Sequence, residues 1–140
     1  MGSEMCIRDR SRSDVVNRVY HPLTETTELY DEYRREGVGG YGALLSIQFR
    51  NGDQSRRFYD CLDAAKGPGF GSNFTLACPY TMIAHFNELD WCRSFGIDPN
   101  LVRVWVGLEE KNELLSVFRA ALDECATVDN DNYIGNDGNI

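Results

Sequence analysis

Residues 101–126 read LVRVWVGLEEKNELLSVFRAALDECA, a strand pattern running directly into a helix pattern. In Leu101–Gly107, Val102, Val104 and Val106 fall on one face and Arg103 and Trp105 on the other. β-branched residues at period two predict a strand with one buried face. From Glu109 to Ala126 the period changes. Leu114, Leu115, Phe118, Ala121, Leu122 and Cys125 line one stripe of a helix, with acids in the first turn where the helix dipole favours them. A strand and a helix that each have one apolar face bury those faces against each other, so the pair predicts a layered α/β fold.

The flanking sequence extends that pattern. Tyr41–Phe49 (YGALLSIQF) predicts a second strand, with Leu45, Ile47 and Phe49 alternating with Ser46 and Gln48. Asn51-Gly52 marks a turn. Asp53–Ala65 predicts a helix capped by Asp53, with Phe58, Cys61, Leu62 and Ala65 on one stripe, and Gly67-Pro68-Gly69 stops it. Phe70–Ala77 is expected to be a short strand and Thr81–Phe95 to be helical in pieces. Towards the N-terminus, Thr24–Glu36 predicts a short helix capped by Thr24, with Leu29 and Tyr33 on one face. From Tyr41 onwards the order is β-α-β-α-β-α, a small sandwich with helices on one face of a short sheet.

Composition narrows the function. The chain has 140 residues, enough for one domain, and is 42% hydrophobic and 26% charged, as expected of a globular protein. Its net charge of −8 argues against a general nucleic-acid or anionic-membrane binder, which needs a basic face. No apolar run has the length of a membrane span. Cys6, Cys61, Cys78, Cys92 and Cys125 show neither zinc spacing nor a disulfide framework, and no secretory pattern opens the chain. Reduced, mostly buried thiols in a cytoplasmic protein are expected. The ends differ from the middle. Residues 1–11 (MGSEMCIRDRS) contain GSEMCIRD, which resembles a translated sequencing adapter, so an adapter-derived or disordered leader is expected there. Residues 127–140 are rich in Asn, Asp and Gly and are expected to form a disordered tail. The domain body is then 12–126.

Arg103 is the polar residue that stands out. A guanidinium in the centre of an apolar strand offers a fixed fork to a carboxylate or a phosphate, and a structural ion pair is the commoner fate. The glycine-rich stretches 37–42 and 67–72 have neither the strand-to-helix context of a dinucleotide loop nor the Gly-Lys-Ser/Thr ending of a P-loop. Glu88 and Asp90 are two apart on a helix and do not face each other. Tyr80 and Trp91 line a pocket or an interface, or pack in the core.

Three stretches, GVGGYGALLSIQF (37–49), GPGFGSNFTLACPYTMIAHF (67–86) and LVRVWVGLEEKNELLSVFRAAL (101–122), together resemble the C-terminal domain of the Cys/Met-metabolism enzymes that use pyridoxal phosphate, the transsulfuration family. NFTLACPYT with ELDW looks most like the cystathionine γ-synthase branch. The resemblance covers about residues 17–124. It implies the C-terminal small domain of a fold-type-I enzyme: a short, mostly antiparallel sheet with helices packed on one face. It also implies a parent that replaces the γ-substituent of an activated homoserine with cysteine sulfur, or a sibling γ-lyase or acyl-homoserine sulfhydrylase. The implied cofactor is pyridoxal 5′-phosphate. The implied partners are the amino-acid substrates, a large domain of the same protein and further copies in an oligomer.

Two site residues follow from the resemblance. Arg103 matches the arginine that grips the substrate α-carboxylate. Gly69, in Gly69-Phe70-Gly71, stands where the family has the serine of a Ser-Leu-Gly segment, so a hydroxyl is missing there. The chain's lysines, Lys66 and Lys111, are outside the family's Ser-x-Thr-Lys context, so no catalytic Schiff-base lysine is expected in this chain and it is expected to be inactive alone. The other reading is a stand-alone, non-catalytic α/β binding domain.

Overall fold

A computed structural model describes residues 12–127. The expected leader with Cys6, and all but Thr127 of the expected tail, lie outside the described residues. The elements in chain order are β1 (Val16–Tyr20), α1 (Pro22–Glu25), α2 (Thr27–Asp31), β2 (Leu44–Phe49), α3 (Gly52–Cys61), β3 (Ala65–Lys66), β4 (Leu76–Cys78), α4 (Tyr80–Ala84), a 3-10 turn (Phe86–Glu88), α5 (Leu89–Ser94), β5 (Val102–Trp105) and α6 (Lys111–Ala126). The five strands form one sheet in the order β1-β2-β5-β4-β3. Every pairing is antiparallel except β3 with β4. A mostly antiparallel sheet with helices is therefore the fold, as the resemblance implied.

The core lies between one face of the sheet and the pair α3 and α6. Leu45, Ile47 and Phe49 of β2 and Val102 and Val104 of β5 are buried there, against Phe58 of α3 and Leu115, Phe118, Ala121 and Leu122 of α6. Phe58 sits between two rings, its centroid 4.9 Å from Phe49 and 5.9 Å from Phe118. Burying a ring of this size is worth roughly 1.5–3 kcal/mol relative to exposing it, so this stack holds the helical layer on the sheet. The stripe read from residues 114–125 is the buried stripe of α6, whose N-terminus is capped by the Glu110 carboxylate.

Several boundaries differ from expectation, each for a local reason. β1 was not anticipated, because a register shift between Val16 and Arg18 gives the burial pattern of Val16–Tyr20 two exposed residues in a row and breaks the period-two signal. The helix expected over Thr24–Glu36 is two short pieces. The buried His21 caps the first, its Nδ1 accepting the Leu23 N–H at 3.2 Å, and Thr26 breaks the run. Leu29 and Tyr33 face solvent, so no core contact sustains a longer helix there. α3 is capped by Asn51 rather than Asp53 and ends at Cys61. Leu62 turns extended and Ala65–Lys66 adds a strand to the sheet edge. The strand expected over Phe70–Ala77 is confined to Leu76–Cys78. Residues 67–75 instead form an irregular strap. Thr81–Phe95 is helical in pieces, as expected.

Candidate functional site

Antiparallel register builds the site on the second face of the sheet. Residues directly opposite one another share a face. Ser46 of β2, Arg103 of β5 and Cys78 of β4 therefore form one row, and Leu44, Trp105 and Leu76 form the next. Val104, with Leu45 and Ala77 beside it, faces the core, which forces Arg103 to the other side. The same alternation that predicted the strand thus places the guanidinium on a rigid central position.

The strap 67–75 crosses this face and is fastened at both ends. At one end Gly67 N–H donates to the Ala77 carbonyl at 3.0 Å. At the other, the Glu109 carboxylate accepts the Thr75 N–H at 2.5 Å and the Thr75 hydroxyl at 2.9 Å, and Thr75 Oγ1 accepts the Gly107 N–H at 3.0 Å. Burial opposes the charge of Glu109, but the bonds from Thr75 outweigh it and hold the carboxyl below its usual value. Between the ends, the Trp105 indole donates to the Ser72 carbonyl at 2.8 Å. Gly107 passes so close to the strap that a Cβ there would lie 2.6 Å from Phe74 Cα. Glycine is required at 107 for that close approach.

Arg103 meets this strap. Its Nη2 donates to the Pro68 carbonyl, and its guanidinium carbon lies 4.0 Å from the Tyr80 ring centroid and 5.6 Å from that of Phe70. Among the described residues no carboxylate pairs with Arg103. Arg12, Arg18, Arg34, Arg56, Arg57 and Arg93 have acidic partners, while Arg35, Arg50 and Arg119 form no ion pair among the described residues either, so what sets Arg103 apart is its place on the central strand β5. The structural ion pair that spacing alone made the commoner fate is not formed. A carbonyl and two aromatic rings are neutral partners, so the guanidinium charge is not balanced by a carboxylate among the described residues.

Gly69 follows Pro68 on the strap, which brings its backbone beside the Arg103 contact. A Cβ at position 69 would meet Leu76 Cδ1 at 3.3 Å, so a serine there fits only if Leu76 yields by a few tenths of an ångström. Glu88 and Asp90 are not a pair: Glu88 holds His85 Nδ1 at 2.6 Å, and Asp90 holds Arg93. Cys61, Cys78, Cys92 and Cys125 are free thiols, all but Cys61 buried, and burial pushes the Cys125 thiol up to about 12. No described helix is long and apolar enough to cross a membrane. Sequence reasoning gave Tyr80 no more than a general aromatic role. The signal for its position is its place two residues after Cys78, the β4 residue opposite Arg103.

No protein-family model matches the chain. A curated relative does: cystathionine γ-synthase of Neurospora crassa is 43% identical over 108 residues, covering 77% of this chain and 17% of the relative. The chain belongs to the transsulfuration family. It spans about a fifth or less of the length of the cystathionine γ-synthases and similar curated relatives it matches. Solved structures of the family share its fold. A Campylobacter jejuni structure described as an O-acetylhomoserine (thiol)-lyase, bearing a pyridoxyl-lysine monophosphate, superposes at TM-score 0.75 with 18% identity, over 87% of this chain and 29% of that one. Yeast cystathionine γ-lyase superposes at TM-score 0.76 with 18% identity, over 89% of this chain and 33% of that one. At that identity both likenesses speak for the fold alone.

The described residues do not fit the covalent seat of the family's cofactor. Lys66 donates from Nζ to the Tyr59 and Leu62 carbonyls, the latter at 2.7 Å, and lies over the Tyr59 ring at 4.5 Å. Its ammonium is committed to the open end of α3, a helix C-cap role. Lys111 opens α6, two residues after the Glu109 that latches the strap.

Proposed function

We propose that this transsulfuration-family chain is the part of a pyridoxal-phosphate-dependent enzyme that binds the α-carboxylate of an amino-acid substrate through Arg103. The reaction proposed for the parent is that of a cystathionine γ-synthase: replacement of the γ-substituent of an activated homoserine by cysteine sulfur. One observation carries the proposal, namely a guanidinium on a central strand, held by neutral partners and unpaired with any described carboxylate. A planar fork fixed in this way can take both oxygens of a carboxylate and so orient an amino acid. Pyridoxal phosphate supplies the electron sink in such chemistry. The chain's own residues contribute binding and orientation. Gly69 lies beside the Arg103 contact and brings no hydroxyl there, and Leu76 fills part of the space a side chain at 69 would take. Lys66 is committed to the end of α3, and neither lysine stands in the family's Ser-x-Thr-Lys context, which supports the reading that the chain is inactive by itself and acts with the rest of a longer polypeptide and, in the parent, with further copies of it.

The test is a product assay on the longer polypeptide containing this chain, given an O-acyl-homoserine and cysteine. Cystathionine is the expected product. A 2-oxo acid would assign a γ-lyase, and homocysteine formed with sulfide a sulfhydrylase. No turnover of any activated homoserine would refute the proposal. The positions of Lys66 and Lys111 favour a second reading, a non-catalytic binding domain. It predicts amino-acid binding to the 140-residue chain with no longer catalytic form in existence.

A further inference from the structure

The face and the edge of a guanidinium bind different things. The face takes an aromatic ring, and the in-plane N–H edge takes a carboxylate. Arg103 uses both in this structure. The Tyr80 ring lies over it at 4.0 Å, the shorter of its two ring contacts, and one edge donor is spent on Pro68. Tyr80 is itself well placed to hold this contact. It opens α4 directly after Cys78-Pro79, so its backbone is tied to β4, the strand hydrogen-bonded to β5 at the level of Arg103. The ring is 37% exposed, so it is not simply a core residue. It also makes no hydrogen bond among those the structure shows, so its hydroxyl is not what holds it there. A stem as long as arginine's samples many rotamers when free, and each one lost on binding costs affinity. Fixing the plane of the guanidinium beforehand removes that cost.

We infer that Tyr80 is a positioning residue for the Arg103 site: its ring sets the plane of the guanidinium so that the edge not spent on Pro68 faces an incoming carboxylate. The inference rests on Arg103 being the carboxylate site. It assigns the effect to the ring and none of it to the hydroxyl, so phenylalanine should replace tyrosine and leucine should not.

The experiment uses the longer polypeptide containing this chain, labelled with 15N, following the Arg103 Nε–H resonance, assigned by its absence in Arg103→Lys. The probe is L-norvaline, an unreactive amino acid, and L-norvalinamide is the control lacking the carboxylate. In the wild type the resonance should be displaced by the ring current and should move saturably with norvaline but not with its amide. Tyr80→Phe should retain both behaviours. Tyr80→Leu should lose the ring-current displacement and bind norvaline about two- to fivefold more weakly, the size of an exposed cation–π contact. Backbone amide spectra report whether each variant stays folded. Norvaline binding by Tyr80→Leu as tight as wild type, or an equal loss in Tyr80→Phe, overturns the role of Tyr80 while leaving Arg103 as the site. A wild-type resonance that ignores norvaline overturns both, and locates the failure at Arg103.

Discussion

Replacing Glu109 tests whether the strap is held in the way the hydrogen bonds indicate. In Glu109→Ala the Thr75 N–H and hydroxyl lose their acceptor at once, and Thr75 is only 2% exposed. A hydrogen bond to a charged group is worth about 1.5–3 kcal/mol, and an orphaned buried donor costs about 1–3 kcal/mol. Thr75 Oγ1 can still accept from Gly107, and water can reach the partly exposed Glu109 side, so the two losses do not add fully. The expected destabilisation is about 2–3 kcal/mol by urea unfolding. Glu109→Gln keeps one acceptor oxygen and should lose about half of that. The pH dependence has a definite sign. The Glu109 carboxyl is held below 4.5 in the fold, so the unfolded chain takes up its proton first. Its contribution is complete above pH 4.5 and fades as pH falls through the lowered value. Glu109→Gln should remove that part of the acid slope. In a Trp91→Phe background, which leaves Trp105 as the remaining tryptophan, its fluorescence reports the strap locally, because its indole is bonded to Ser72. An unchanged urea midpoint with unchanged Trp105 emission would refute the latch.

Three further outcomes follow from the same geometry. Phe118→Ala empties the ring stack under the sheet and should cost about 3–5 kcal/mol in urea unfolding. Gly107→Ala places a methyl within 2.6 Å of the Phe74 backbone and should cost about 1–3 kcal/mol, with a shift in Trp105 emission as the strap moves. His21 is buried with its Nδ1 capping α1, and burial lowers its pKa from 6.5. Unfolding releases an imidazole that protonates more readily, so stability should fall as pH drops from 6.5 towards the lowered value. Thermal melts of His21→Asn, which can still cap, should lack that decline.

Much of this architecture could be read from the sequence, for identifiable reasons. β2, β5 and α6 have uninterrupted apolar periods, and the same residues make the core. β1 was hidden because its bulge breaks the alternation between Val16 and Val19. Phe70 and Phe74 look like strand residues and draw the expected strand back over residues 70–75 of the strap. Both are exposed, and the segment is held by Glu109 and Trp105 from a distant part of the chain. Arg103 was legible because a single charge interrupts a run of valines. Its freedom from carboxylates was not, since only the folded register shows what lies beside it. Tyr80 follows the same logic: an aromatic residue in an apolar segment suggests core, and only the pairing of Cys78 with Arg103 brings its ring onto the guanidinium.

The most direct test of the central claim is the kinetics of Arg103→Lys in the longer polypeptide, measured with an activated homoserine. Lysine keeps the charge and loses the planar fork. The account predicts a fall in kcat/KM of about 10- to 100-fold, carried mainly by KM for the amino-acid substrate, as expected for one lost charge-assisted hydrogen bond. A KM and kcat equal to wild type would show that Arg103 does not hold the substrate carboxylate.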